Sequence, residues 1–302
     1  MDERALLQEV YAIIGREHCL DDCAVIPCGE QFLVATTDML HETTDFPAGI
    51  TDWQIGWMSA AVTLSDIASM GATPAVLLLA VGLDDPSRLG EILRGARDCC
   101  LEAGGYIAGG DIDHHTELTI VSSGIGMVAP DHIVRRSGAR AGDLVCVTGV
   151  PGCAQAALNG YHQFDKALME PRARVREGEV LGRTGATSMM DISDGLAISL
   201  YDLLEANSCG YSIDREKIPA PAGVPADEAI TLALYGGGDY ELLFTVPHDW
   251  VAPPGFHYSV IGSVIPDHCV LLDGNVMERK GYEHTWVRGA RGPDLPGNGG
   301  VQ

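Results

Sequence analysis

Positive charge is what this chain has least of. Three lysines and sixteen arginines stand against 42 acidic residues, a net charge of −23 over 302 residues. A phosphate backbone is bound by giving up counterions to a basic surface, so nucleic acid is excluded as the main partner. Long apolar runs are also missing. The longest, Ala75 to Leu83, falls well short of the roughly 20 residues that span a bilayer, so no membrane partner is expected. The start, Met1-Asp2-Glu3-Arg4, is charged and leads into no apolar run, so it does not read as a secretory leader. No G-x-x-x-x-G-K-[ST] stretch occurs, which removes the P-loop nucleotide enzymes. No histidine has a triad setting.

Nine cysteines are an odd number in a chain too long to be a small disulfide scaffold, and a reducing cytoplasm is the simplest reading. His18, Cys19, Cys23 and Cys28 crowd together, but no second set of ligands completes a zinc site. At 46% hydrophobic residues the chain can bury one large core or two ordinary ones.

Apolar periodicity predicts a helix over 3–15, strands over 23–27 and 31–37, and a long helix over 51–70 that stops at Gly71. Ala75 to Leu83 reads as a strand buried on both faces. A helix over 85–103 follows, then a short strand, Tyr106 to Ala108, leading to Gly109-Gly110-Asp111, and a strand over 119–128. Residues 132–143 are polar and contain glycine and three arginines, Arg135, Arg136 and Arg140. They mark a domain boundary and are either a solvated linker or phosphate contacts. Beyond it come helices over 151–160 and 171–184, a strand over 186–190, a helix over 196–207 and strands near 211–213, 241–246, 257–264 and 269–272. The division is therefore 1–137, 138–288 and a Gly/Pro-rich tail, 289–302, expected to be disordered.

Acids recur at strand ends and turns: Asp22, Asp38, Asp66, Asp111, Asp191 and Asp194. Met189-Met190-Asp191-Ile192-Ser193-Asp194-Gly195 reads as a buried strand turning tightly into a helix. Two carboxylates there repel each other unless a cation lies between them. Asp194 is thus either an N-cap or part of a Mg2+ site. Asp66, inside a helical apolar pattern, needs a salt bridge or a metal. Thr36 and Thr37, beside Asp38, add hard oxygen donors. An oxygen-only site suits Mg2+, and an acidic protein needs such cations to bind a polyanion. This points to phosphoryl transfer from a nucleotide.

Several short stretches occur in a telling order: Asp21-Asp22-Cys23-Ala24, Thr37-Asp38-Met39-Leu40, Leu64-Ser65-Asp66-Ile67-Ala68-Ser69-Met70-Gly71-Ala72, Gly109-Gly110-Asp111, Arg136-Ser137-Gly138-Ala139, Gly142-Asp143, Val147-Thr148-Gly149, Asp191-Ile192-Ser193-Asp194-Gly195-Leu196 and Asp239-Tyr240-Glu241-Leu242-Leu243-Phe244-Thr245. Each is weak alone; the ordered set resembles the thiamine-monophosphate kinase family, within the aminoimidazole ribonucleotide synthetase superfamily. The resemblance runs from about Asp21 to Tyr282.

The resemblance implies a two-domain α/β fold. A mixed sheet in the N-terminal domain would pair across a homodimer, and an α/β sandwich would form the C-terminal domain. It implies ATP as co-substrate, several Mg2+ ions and thiamine monophosphate as acceptor. Carried over, Asp22, Thr36, Thr37, Asp38, Asp66, Asp111, Asp191 and Asp194 match metal positions, with Asp38, Asp191 and Asp194 at the chemistry. Gly110, Asp111, Arg136 and Ser193 match nucleotide contacts. Asp45, Gly238 and Tyr282 match acceptor positions. At two of these the chain departs from the family, which usually has a histidine where Asp45 stands and a glutamate where Gly238 stands. A related enzyme with another small phosphorylated acceptor, or a nucleotide-binding paralogue without turnover, are the alternative readings.

Overall fold

A computed structural model describes residues 3–283; the proposed tail lies outside the described residues. Helix α1 (Glu3–Ile14) precedes a hairpin of β1 (Ala24–Cys28) and β2 (Gln31–His41). Helix α2 (Asp52–Ser69) leads to β3 (Thr73–Leu83), α3 (Leu89–Glu102), β4 (Tyr106–His114) and β5 (Thr119–Val128). These five strands form one mixed sheet in the order β1-β2-β5-β3-β4, with only β3 and β4 parallel.

The second half contributes β6 (Leu144–Val147), α4 (Cys153–Leu158), α5 (Asp165–Met169), α6 (Val175–Thr184), β7 (Ser188–Ile192), α7 (Leu196–Ala206) and β8 (Gly210–Ile213). It continues with α8 (Ala226–Tyr235), β9 (Glu241–Val246), β10 (Ser259–Ile265), β11 (Val270–Leu272) and β12 (Asn275–Val276). Its seven strands lie in the order β12-β11-β8-β10-β6-β9-β7. One apolar cluster joins Val145, Val147, Met190 and Ile192 to Leu196, Leu200 and Leu203 of α7. Another joins Cys146, Met189, Leu242 and Phe244 to Leu181 of α6.

Helix α2 positions the site. Thr51 caps it, exchanging hydrogen bonds with Gln54 in a capping box. It is buried nearly all round, as expected of a helix apolar on every side. It contacts β2 and β5 of the first sheet on one side and α6 and β7 on the other.

Two expectations change. The strand over 75–83 is buried on one face only. Leu77, Leu79, Val81 and Leu83 pack inward, while Leu78 is 42% exposed. Met39 of β2 and Tyr106 of β4 are exposed on the same outer face. Helices cover one face of the sheet, so the apolar run alternates where double burial was expected. In addition, Gly109-Gly110-Asp111 is not a loop: β4 runs through it to His114, pairing with β3 across a bulge.

Candidate active site

Three elements deliver carboxylates to one point. Asp22 comes from the segment before β1, Asp66 from α2 and Asp191 from the end of β7. One oxygen of each lies within 4.8 Å of the others. Asp38, on β2, adjoins them. Every one of these carboxylates accepts a hydrogen bond from a hydroxyl: Asp22 from Ser69, Asp38 from Thr63 (2.7 Å), Asp66 from Thr36 and Asp191 from Ser65 (2.6 Å). Thr63, Ser65 and Ser69 are buried on α2. They escaped the sequence reading, which followed acids. Their signal was polar residues recurring inside an otherwise apolar helix.

The electrostatics are unfavourable as the side chains stand. Burial, then the charge of Asp22, pushes Asp191 up to about 8, against the hydrogen bond from Ser65 and the charge of Arg136. Burial, then Asp38, Asp191 and Asp22, hold Asp66 well above the usual carboxylate range. Burial also raises Asp38. Among the described residues the only ion pair these four carboxylates make is Asp22 with Arg136. Burial works against the Arg136 charge, and Asp22 is the strongest influence keeping it. Asp21 pairs with Arg135 and accepts the Arg136 backbone N–H at 3.0 Å. One guanidinium cannot balance four buried carboxylates. A hard divalent cation among the oxygens of Asp22, Asp66 and Asp191 would remove the repulsion, so the donor set fits such an ion.

Two cavities meet at this cluster. The larger, about 790 Å3, is lined by Asp21, Asp22, Thr36, Thr37 and Arg136, and by Leu7 and Tyr11 of α1. The smaller, about 350 Å3, is lined by Asp38, Asp45, Gly238 and Tyr240 and by apolar Met39, Leu40, Met58, Val62, Leu158 and Leu168. Asp66, Asp191, Ser193, Asp194 and Tyr282 line both. The shared wall therefore separates a polar chamber from a half-apolar one. A further cavity, about 240 Å3, lies between Trp57 and the segment Arg172–Glu177, away from the carboxylates. Two of its arginines are committed, Arg172 to Glu102 and Arg174 to Glu241.

Not every expected residue arrives. Gly110 and Asp111 line neither principal cavity. Asp111 is exposed and accepts the Ile112 backbone N–H at 3.0 Å. A Cβ on Gly110 would stand 1.7 Å from the Leu79 carbonyl oxygen, so β3 pairing requires glycine there. Thr37 lines the larger cavity, but its hydroxyl bonds to the Ser122 carbonyl (3.2 Å) and to Ser123 (2.9 Å). Asp45 accepts the His41 amide at 2.7 Å and the Thr44 hydroxyl at 2.8 Å, closing the turn after β2. Gly238 has φ +88° and donates its N–H to the Ser193 carbonyl at 2.7 Å. The Tyr282 N–H donates to the Asp194 carbonyl at 2.9 Å. The N-cap of α7 is Gly195 with no side-chain cap, so Asp194 is not an N-cap. Tyr240, which lines the smaller cavity, was not singled out in the sequence. Burial, then the charges of Asp191, Asp38, Asp194 and Asp45, hold its phenol well above its ordinary value, so it stays a proton donor.

Residues 20–128 match the family described as AIR synthase related protein, N-terminal domain. A thiamine-monophosphate kinase of Methanospirillum hungatei is 50% identical over 288 residues, covering 95% of this chain and 100% of the relative. One from Halobacterium salinarum is 42% identical, covering 94% of this chain and all of its own. A solved structure described as AaThiL complexed with AMPPCP and TMP superimposes with a TM-score of 0.87 at 27% identity, covering 94% of this chain and 97% of that one.

Proposed function

This chain belongs to the thiamine-monophosphate kinase family, and from that premise we propose that it transfers the γ-phosphoryl group of ATP to the phosphate of thiamine monophosphate, giving thiamine diphosphate. The observation that carries this reading is the carboxylate cluster on the wall between two cavities. ATP occupies the larger, with Arg136 and Ser193 as contacts. Thiamine monophosphate occupies the smaller, beside Asp45, Gly238 and Tyr282, its organic part against the apolar side chains.

An acceptor phosphate with a second pKa near ~6 is already ionised at neutral pH. An oxygen of that phosphate attacks the γ-phosphorus, the bond to the β-phosphate oxygen breaks, and ADP leaves; no general base is needed. The difficulty is repulsion between anions. Mg2+ ions held by Asp22, Asp38, Asp66, Asp191 and Asp194, with Thr36 and Thr37 nearby, would supply the neutralising charge. Asp191 and Asp194 line both cavities and Asp38 the smaller one, which supports their place at the chemistry. Ser65 and Thr63 orient Asp191 and Asp38 from α2.

The break between the two sheets, Val128 to Leu144, supports a division into domains 1–137 and 138–288. The bare face of the first sheet, with Met39 and Leu78 exposed, supports a homodimer formed there. Gly110 and Asp111 lie on the edge strand of that sheet and would reach a nucleotide only across the subunit boundary. Among the described residues no helix is long and apolar enough to cross a membrane; with nine unpaired cysteines this supports a cytoplasmic location. Asp45 also loses its force as an argument for another acceptor, because its carboxylate is engaged in its own turn.

The test is incubation of the purified protein with ATP, Mg2+ and thiamine monophosphate, with thiamine diphosphate measured. Nucleotide binding without product would remove the assignment.

A further inference from the structure

The smaller cavity poses a chemical problem. Among the described residues its wall carries Asp38, Asp45, Asp66, Asp191 and Asp194 but no lysine, arginine or histidine. A phosphate entering it depends on bound cations and neutral donors. Thr44 gives its hydroxyl to Asp45, and Gln155 gives its amide to Asn159. Ser193 lies on the wall shared with the larger cavity, whereas Tyr240 lines only the smaller one.

Tyr240 is held in an unusual way. Its φ is +53°, and only Asp273 among the other described non-glycine residues has a positive φ. An aromatic side chain is strained in that region, and such strain persists only when the surroundings enforce it. Here the Tyr240 N–H donates to the Ile192 carbonyl at 3.0 Å, fixing the residue to the end of the strand that carries Asp191. Its hydroxyl has no hydrogen-bond partner among the described residues. Among the described residues no buried side-chain polar atom is left unpartnered, so that hydroxyl opens onto the cavity. A strained tyrosine whose polar end serves no protein group is placed for a ligand.

We infer that Tyr240 is a specificity-determining residue of the acceptor cavity, its hydroxyl donating a hydrogen bond to the phosphate of the acceptor. The inference rests on the thiamine-monophosphate reading and adds a residue to it. The ring lies beside the carboxylates that would hold cations, where the acceptor phosphate must come to react.

Tyr240→Phe removes only the hydroxyl. Kinetics with ATP and Mg2+ are measured together with inhibition by unphosphorylated thiamine, calorimetric binding of thiamine monophosphate and the melting temperature. A hydrogen bond to a charged group changes affinity by roughly tenfold or more. The KM and Kd for thiamine monophosphate should therefore rise about tenfold, while the KM for ATP, thiamine inhibition and Tm stay as in the wild type. Unchanged affinity for thiamine monophosphate overturns the inference. So does an equal loss of thiamine inhibition, which would place the hydroxyl on the organic cation. A Tm lower by several degrees would make the hydroxyl structural and also overturn it. Failure of the underlying reading is distinguishable, because it shows as absent product with the wild-type protein.

Discussion

The two cavities accept anions in opposite ways. The larger has guanidinium groups: Arg136 against Asp22 and, at its rim, Arg279 against Glu205. The smaller has, among the described residues, no cationic side chain, and it has an apolar end. Both lean on the same wall of Asp66, Asp191 and Asp194. On the proposed assignment, a chain of net charge −23 would hold a polyphosphate with paired arginines and the second phosphate with bound cations and neutral donors. The difference separates the two binding steps and makes the shared wall the place where they depend on each other.

The largest effect should come from the wall itself. Asp191→Asn is expected to reduce turnover on the order of a thousandfold or more, with circular dichroism and metal-free Tm preserved, since burial and the charge of Asp22 already hold the Asp191 carboxyl neutral without metal. Retained turnover would show that the cavities do not share Asp191. Next, Arg136→Ala should act on the larger cavity alone. It strands Asp22, whose side chain is 1% exposed, at a cost of about 3 kcal/mol. The KM for ATP should rise roughly tenfold while that for thiamine monophosphate holds; equal changes in both would erase the distinction.

A pH series sharpens the comparison. Asp191 has its ordinary value of 3.8 in the unfolded chain and about 8 in the folded one. Between those values the folded protein keeps a proton that the unfolded chain releases, so metal-free stability falls as pH rises through that window. Mg2+ should therefore raise Tm more at pH 8 than at pH 5, and Asp191→Asn should flatten the trend. A Mg2+ effect independent of pH would contradict this. The smallest effect is expected at Gly238→Ala. The left-handed backbone there, φ +88°, makes any side chain cost about 1 kcal/mol. The KM for thiamine monophosphate should rise with no change in that for ATP.

Much of this was legible locally. The alternation of strands and helices, the tight turn after Asp191 and the acids at strand ends all follow from short-range patterns. What was not legible has identifiable causes. Thr36 and Thr37 are neighbours with the same chemistry, but the strand pleat sends one hydroxyl to Asp66 and the other to Ser122 and Ser123. Asp111 resembles Asp22 in sequence, yet an edge strand carries it away from the cavities. Arg136, expected at a phosphate, lines the larger cavity, but that its guanidinium also pairs with Asp22 needed the fold. Tyr240 stood inside a quoted motif but nothing in sequence set it apart as a site residue, because its significance lies in a backbone angle imposed by a contact with Ile192.

By itself the sequence determined the supply of hard oxygen donors, the scarcity of cations to balance them and the elements that bear each one. Only the tertiary structure decided which of those donors meet. Asp22, Asp66 and Asp191 are far apart along the chain, and helix α2, buried between the two sheets, draws them together. Burial there removes the water that would otherwise screen their charges, so proximity becomes a demand for a cation.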